Sequence, residues 1–227
     1  MRRKAFFLTA VTAVAVIAVV INASPAAYAE AARTFVSGQG TDTGACPVTS
    51  PCRSFAYAVT QTAASGEIVV LNSAGYGPVT IAQSLTITNP GGVEAGVTAT
   101  SGSNAITIDT TAASTITLRG LTLEGGGAGL NGINVTPSLP GSGSSLLNII
   151  GCTVKDFTGS GLAFTVSSAG SPVFDLTLEK TPIGDWSAGT NAIATGAIKN
   201  NGTLFSFGDN AILDTLTGNA ITTLSLK

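Results

Sequence analysis

The chain has 227 residues, of which only 10% are charged, with 28 glycines and no histidine. Ten basic residues stand against twelve acidic ones. A balance this acidic and this sparse in Lys and Arg excludes nucleic acid as a partner, because phosphate affinity rests on clustered cations. The missing imidazole removes the usual general base and the commonest metal ligand.

The first 29 residues read as a secretory leader: Arg2, Arg3 and Lys4 are basic, Ala5 to Ile21 are almost all apolar, and Ala27-Tyr28-Ala29 fits a small-x-small cleavage pattern. The apolar run is also close to the length that spans a bilayer, so an uncleaved anchor is the competing reading. Cleavage after Ala29 would leave seven basic against twelve acidic residues, a net charge of −5, on a secreted or periplasmic protein with no membrane contact of its own.

Residues 30–65 form the next unit. Thr34-Phe35-Val36 alternates as a short strand, and Cys46 and Cys52 flank a short loop. In an oxidising compartment that spacing predicts a disulfide. Ser50-Pro51 offers an N-cap followed by Pro at the first helical position. Phe55, Ala58, Val59 and Thr62 then fall at helical spacing, and Gly66 closes a helix of about three turns. Its expected task is to cap the first coil of a stack of repeats.

From residue 66 to 227 the pattern is β. A small polar residue, a tiny residue and a branched apolar residue return as Asn104-Ala105-Ile106, Asn131-Gly132-Ile133, Ser160-Gly161-Leu162, Asn191-Ala192-Ile193 and Asn219-Ala220-Ile221, at steps of 27, 29, 31 and 28. A period of that length marks a solenoid. Aligning the copies gives three apolar columns: Leu118, Ile149, Leu178 and Phe207; Leu123, Val154, Ile183 and Ile212; and Ile133, Leu162, Ile193 and Ile221. Three inward columns on three short strands per coil predict an all-β parallel solenoid of about five to six coils. The repeating Asn104, Asn131, Asn191 and Asn219 are expected to form a structural ladder of side-chain amides.

The run Phe35-Val36-Ser37, Gly40-Thr41-Asp42, Pro51-Cys52-Arg53-Ser54-Phe55, Gly66-Glu67-Ile68-Val69-Val70 and Tyr76-Gly77 resembles the opening of bacterial pectate-lyase-like proteins. The resemblance, carried on by the Asn-Gly-Ile turns, implies a right-handed parallel β-helix of pectin-lyase type. In lyases of that family, Ca²⁺ held by surface carboxylates acidifies a sugar proton and a nearby Lys or Arg removes it. Asp156, Asp185 and Asp214 recur at one repeat position, 29 residues apart each time, and are the residues that could play the metal-holding part. Arg119 and Lys155 are the corresponding candidates for the base. The same aspartates each open a turn, and turn support explains them without a metal. Phe157 and Trp186 share the next column, as stacking partners between coils or as a platform for a sugar ring.

Cys152 falls in an apolar column and reads as a buried, inert thiol. Residues 137–145 form a polar loop without charge. Low charge, short loops and a regular polar surface favour a non-catalytic protein with a glycan-binding, surface-binding or structural role that needs no cofactor. The alternative is a lyase or hydrolase acting on acidic polysaccharide. The alternating stretch 221–227 carries no cap, which predicts self-association through that end.

Overall fold

The computed structural model describes residues 30–136, 144–165, 173–181, 193–196, 204–207, 216–217 and 222–224. Three parallel sheets make up a β-solenoid. Among the described residues sheet A has eight strands, in the order β1 (Ala31–Val36), β2 (Thr62–Val70), β5 (Leu85–Thr88), β8 (Thr115–Arg119), β11 (Ser144–Ile150), β14 (Val173–Glu179), β16 (Leu204–Phe207) and β18 (Thr222–Leu224). Sheet B has four, β12 (Thr153–Lys155), β9 (Leu121–Glu124), β6 (Ala95–Thr98) and β3 (Ala74–Gly75), and sheet C has six, β17 (Leu216–Thr217), β15 (Ile193–Gly196), β13 (Leu162–Thr165), β10 (Ile133–Val135), β7 (Ile106–Ile108) and β4 (Val79–Ile81). From β2 to β13 consecutive strands pass from A to B to C, so each pairing there joins strands of successive turns. Among the described residues the smallest sheet limits the stack to about four complete turns, fewer than the repeat count suggests.

The strands alternate because one side of each sheet faces a narrow interior. In sheet A, Ile68, Ile87, Leu118, Ile149 and Leu178 stand in register, one above the next. All five are fully buried. Sheet C contributes Val79, Ile106, Ile133 and Leu162 in register, and sheet B contributes Val97, Leu123 and Val154. Burying each such side chain contributes roughly 1.5–3 kcal/mol, and the branched shapes fill a tube that leaves no room for rotamer change.

The Asn-Gly-Ile ruler holds where it can be followed: Ile106, Ile133, Leu162 and Ile193 (β15, Ile193–Gly196) share one register. It fails at the next step. Ile193 pairs with Leu216 of β17 (Leu216–Thr217), and β18 (Thr222–Leu224) belongs to sheet A beside β16. Leu216 therefore takes the place in that column that the repeat assigned to Ile221, which lies outside the described residues. A second correction concerns β16 (Leu204–Phe207), where Leu178 pairs with Ser206, one residue short of Phe207. Three of the four residues in Leu204-Phe205-Ser206-Phe207 are apolar, so hydrophobic pattern alone does not choose between registers that differ by one.

Between sheets A and B the chain turns through one residue in the left-handed region. Gly120, Gly151 and Lys180 occupy this corner in successive turns, with φ of 67°, 60° and 45°. The Gly120 N–H donates to the Ile150 carbonyl and that of Gly151 to Glu179, both within 2.9 Å. The corner is thus stitched coil to coil as tightly as the strands.

The N-terminal unit is built differently from the expectation. The Cys46–Cys52 disulfide is present. Its loop pairs with the outer edge of β1 (Ala31–Val36): Phe35 N–H donates to the Cys46 carbonyl, Cys52 N–H to the Phe35 carbonyl, and Ser37 N–H to the Cys52 carbonyl, each at 2.9 Å. A bond closing so short a loop stabilises by about 2–3 kcal/mol in the chain-entropy view. Here it also fixes the groups that occupy an exposed sheet edge. Because Cys52 is held in that ladder, the helix cannot begin at Pro51. Helix α1 runs Phe55–Gln61, seven residues, with Ser54 as N-cap accepting from the Tyr57 N–H at 3.2 Å. Asp42 sets the cap: its carboxylate accepts from the Arg53 N–H, the Ser54 N–H and the Ser54 hydroxyl at 2.8–2.9 Å. Thr62 opens β2 (Thr62–Val70) directly after the helix, which is accordingly shorter than the helical spacing implied. Phe55 and Ala58 are fully buried, and α1 packs on β1, β2 and β4. Among the described residues no helix is long and apolar enough to cross a membrane.

Candidate functional site

Asp156 follows β12 (Thr153–Lys155) at the corner between sheets B and C. The pairing of Lys155 with Glu124 puts it directly beside Gly125 of the preceding turn. Its φ is 60°, a left-handed conformation that Asp tolerates better than most side-chain-bearing residues. Its carbonyl accepts from the Gly127 N–H at 2.9 Å. Asp185 and Asp214 lie outside the described residues, as do Trp186, Asn191 and Asn219. Among the described residues no three His, Cys, Asp or Glu side chains converge in a way that could hold a metal ion.

The two cations named as bases are placed as follows. The Lys155 ammonium lies 3.6 Å from the Glu124 carboxylate, with both side chains partly exposed. An exposed pair of this kind contributes under about 1 kcal/mol, yet it directs the ammonium toward sheet B's own surface. Arg119 is exposed at the end of β8 (Thr115–Arg119), in register with Ile150 and, one strand further, Glu179. Two strand spacings, roughly 9.6 Å, separate Arg119 from Glu179 along that row.

Phe157 is a core residue. It is 2% exposed, and its ring edge comes within 3.2 Å of where a Cβ on Gly132 would stand. A ring held there offers no face to a sugar.

The amide ladder is visible at its first rungs. Asn131 Nδ2 donates to Asn104 Oδ1 at 2.9 Å, and Asn131 Oδ1 accepts from the Ser160 N–H at 2.9 Å. Asn104 Nδ2 donates in turn to the Thr107 hydroxyl at 3.3 Å. These bonds tie the corner preceding sheet C from one turn to the next.

Cys152 is buried at 1% exposure, with its sulfur 3.5 Å from both the Leu121 nitrogen and the Leu118 carbonyl oxygen. Burial pushes the thiol pKa up from 9.0 to about 11. A neutral-pH thiolate is thereby suppressed, and with it nucleophilic chemistry. Because the folded pKa lies above the unfolded one, the thiol's contribution to stability is complete below pH 9 and is lost as pH rises toward 11. The wild-type protein should lose about 2–3 kcal/mol relative to a Cys152→Val variant across that window, measurable as the pH dependence of their urea midpoints.

Two surfaces escaped the sequence reading. The first is the outer face of sheet A, where Thr86, Thr117, Asn148 and Thr177 stand in register on four successive strands. Each is half-buried, and Asn148 Nδ2 donates to the Thr117 hydroxyl at 3.3 Å. These four residues are uncharged and repeat every ~4.8 Å, while Glu67 of β2 continues the row beside Thr86 and Phe205 of β16 beside Thr177. Their signal in the chain was the Thr or Asn between two inward residues of these four strands. The second is a groove of about 380 Å³ between α1 and β4 (Val79–Ile81), lined by Ala56, Val59 and Thr60 on the helix side and by Val79, Thr80 and Thr107 on the sheet side. Nothing in periodicity announces it, since it arises where a helix abuts a strand.

No family profile, curated protein or solved structure matches the chain.

Proposed function

We propose that this chain is an exported, non-catalytic, right-handed parallel β-helix, closed at its N-terminal end by α1, that binds neutral glycan along sheet A. The observation carrying this reading is the in-register row Thr86, Thr117, Asn148 and Thr177. Hydroxyl and amide groups donate and accept alike, which suits a polyhydroxylated chain. Their ~4.8 Å repeat is close to the advance per residue of an extended pyranose polymer, so successive sugars meet successive turns. The acidic balance of the chain disfavours a polyanionic glycan. The disulfide accords with an oxidising compartment and with residues 1–29 acting as a leader.

The test is cosedimentation of the protein lacking residues 1–29 with insoluble neutral polysaccharides, cellulose and chitin among them. Replacing Thr117 and Asn148 together by Ala should weaken binding at least tenfold, while Thr122→Ala with Thr153→Ala on sheet B should leave it unchanged. Equal loss in both pairs, or no cosedimentation, overturns the reading. Unsaturated products released from pectate in the presence of Ca²⁺, and lost in Asp156→Ala, would replace it with the catalytic alternative.

A further inference from the structure

Sheet A reaches one strand further than the other two sheets at the start of the stack. β1 lies beside β2, whereas sheets B and C begin at β3 and β4. The outer edge of β1 is closed by the disulfide loop, which takes the Phe35 N–H, the Phe35 carbonyl and the Ser37 N–H. The polar row on the outer face of sheet A therefore has a definite first position. Thr86 pairs with Glu67 and Glu67 with Arg33, so the row ends in a carboxylate and a guanidinium.

That carboxylate is only half used. Arg33 Nε donates to Glu67 Oε2 at 2.8 Å, and Arg33 Nη2 lies 2.7 Å from the same oxygen. Among the described residues no group hydrogen-bonds Glu67 Oε1, which is not buried. The Glu67 side chain is 26% exposed against 63% for Arg33, so the carboxylate is held close to the sheet. A carboxylate oxygen only accepts, and bonds to it are roughly twice as strong as neutral ones. With Arg33 already on Oε2, the free oxygen suits a hydroxyl donor.

An aromatic ring stands nearby. Phe35 alternates with the buried Thr34 and Val36, which places it on the outer face of β1, in register with Val69 and Thr88. Phe35 and Val69 are both half-buried. One strand spacing and two residues separate Phe35 from Glu67, about 8 Å on the diagonal.

We infer that Glu67 and Phe35 form a terminal subsite, which holds the last sugar of a neutral glycan lying on the sheet A row. Resting on the glycan reading above, this subsite adds where the polymer stops. Phe35 and Val69 meet the C–H face of the pyranose, and Glu67 Oε1 accepts from a hydroxyl at its rim. Beyond Arg33 a glycan finds no further turn of polar groups, because the disulfide loop closes the sheet there. The protein accordingly recognises a chain end, and Glu67 repels an anionic sugar from it.

The test titrates the protein by calorimetry with cellohexaose and with chitohexaose, and continues with the tighter ligand. Glu67→Ala should weaken it at least tenfold, and Arg33→Ala, which leaves the acceptor in place, by no more than threefold. Phe35→Leu keeps the bulk, loses the flat ring and should weaken it at least fivefold. All three should keep the wild-type circular dichroism, since an exposed ion pair carries little stability. Of two blocked hexaoses, one methylated at its terminal O4 and one made as the methyl glycoside, one should bind the wild type at least tenfold more weakly. That discrimination should vanish in Glu67→Ala. Equal losses in Glu67→Ala and Arg33→Ala, or equal affinity for free and blocked ends, overturn the inference. Unchanged binding in Glu67→Ala, with a loss in the Thr117→Ala and Asn148→Ala double variant, overturns the terminal subsite alone. A loss in Glu67→Ala with none in that double variant overturns the row and leaves the subsite standing. No binding of either hexaose overturns both.

Discussion

Phe157→Ala should lower stability by about 3–5 kcal/mol, the cost of removing a buried aromatic ring and leaving a cavity that a stacked solenoid cannot close. The ring is 2% exposed and fills the interior under Gly132, at the corner where sheets B and C meet. Neighbouring turns are held in register by their ladders above and below, so the backbone has little freedom to collapse into the space. Phe157→Leu keeps most of the volume and should cost about 1.5 kcal/mol. Urea denaturation of both variants measures the difference. A sugar platform would behave in the opposite way, losing glycan binding at constant stability. Wild-type stability in Phe157→Ala would contradict the placement of the ring in the core.

Gly125→Ala should be nearly as damaging, at about 3 kcal/mol, the upper end of the cost of forcing extra volume into a packed site, although it adds a single methyl group. A Cβ there would lie 2.2 Å from the Asp156 carbonyl oxygen and 2.8 Å from both the Asp156 carbonyl carbon and the Phe157 Cα. All three are backbone atoms of the next turn and cannot swing aside. Relief requires the turns to separate, which breaks the Gly125 N–H to Lys155 carbonyl bond at 3.0 Å and the Gly127 N–H to Asp156 carbonyl bond at 2.9 Å. Gly126→Ala is the control: its φ is 57° and nothing lies within 4 Å of the added carbon, so only backbone strain of about 1–2 kcal/mol is expected. Equal effects from the two variants would show that the clash at Gly125 is relieved cheaply. The same contact explains why the acidic repeat position is glycine in this turn. An Asp side chain at that position would be driven into the carbonyl of Asp156.

The parts of the fold legible in the chain are those that repeat. Ile106, Ile133 and Leu162 stack because each is the same inward position of one coil, and their spacing, which Ile193 continues in register, is printed in the sequence. The Cys46–Cys52 bond was legible because proximity and compartment both favour it. The corner residues Gly120, Gly151 and Lys180 each stand two positions after the aligned Leu118, Ile149 and Leu178, but a left-handed φ at Lys180 is not written in its identity. Where the pattern loses contrast, as in the three apolar residues of β16, spacing ceases to choose a register.

Residue order alone thus specifies the class of architecture: strands in parallel, apolar columns inward, amides at the corner before sheet C, a disulfide near the start. Periodic burial of β-branched side chains requires no more than that. Contacts in three dimensions supply the remainder. They set the start of α1, because Cys52 is claimed by the edge of β1 and Asp42 holds Ser54. They send Phe157 inward and leave Thr117 and Asn148 outward in a row. They form the groove beside β4, because a helix packs there where a further strand would have paired. Each of these depends on which backbone groups already have partners, and that is a property of contacts between distant residues.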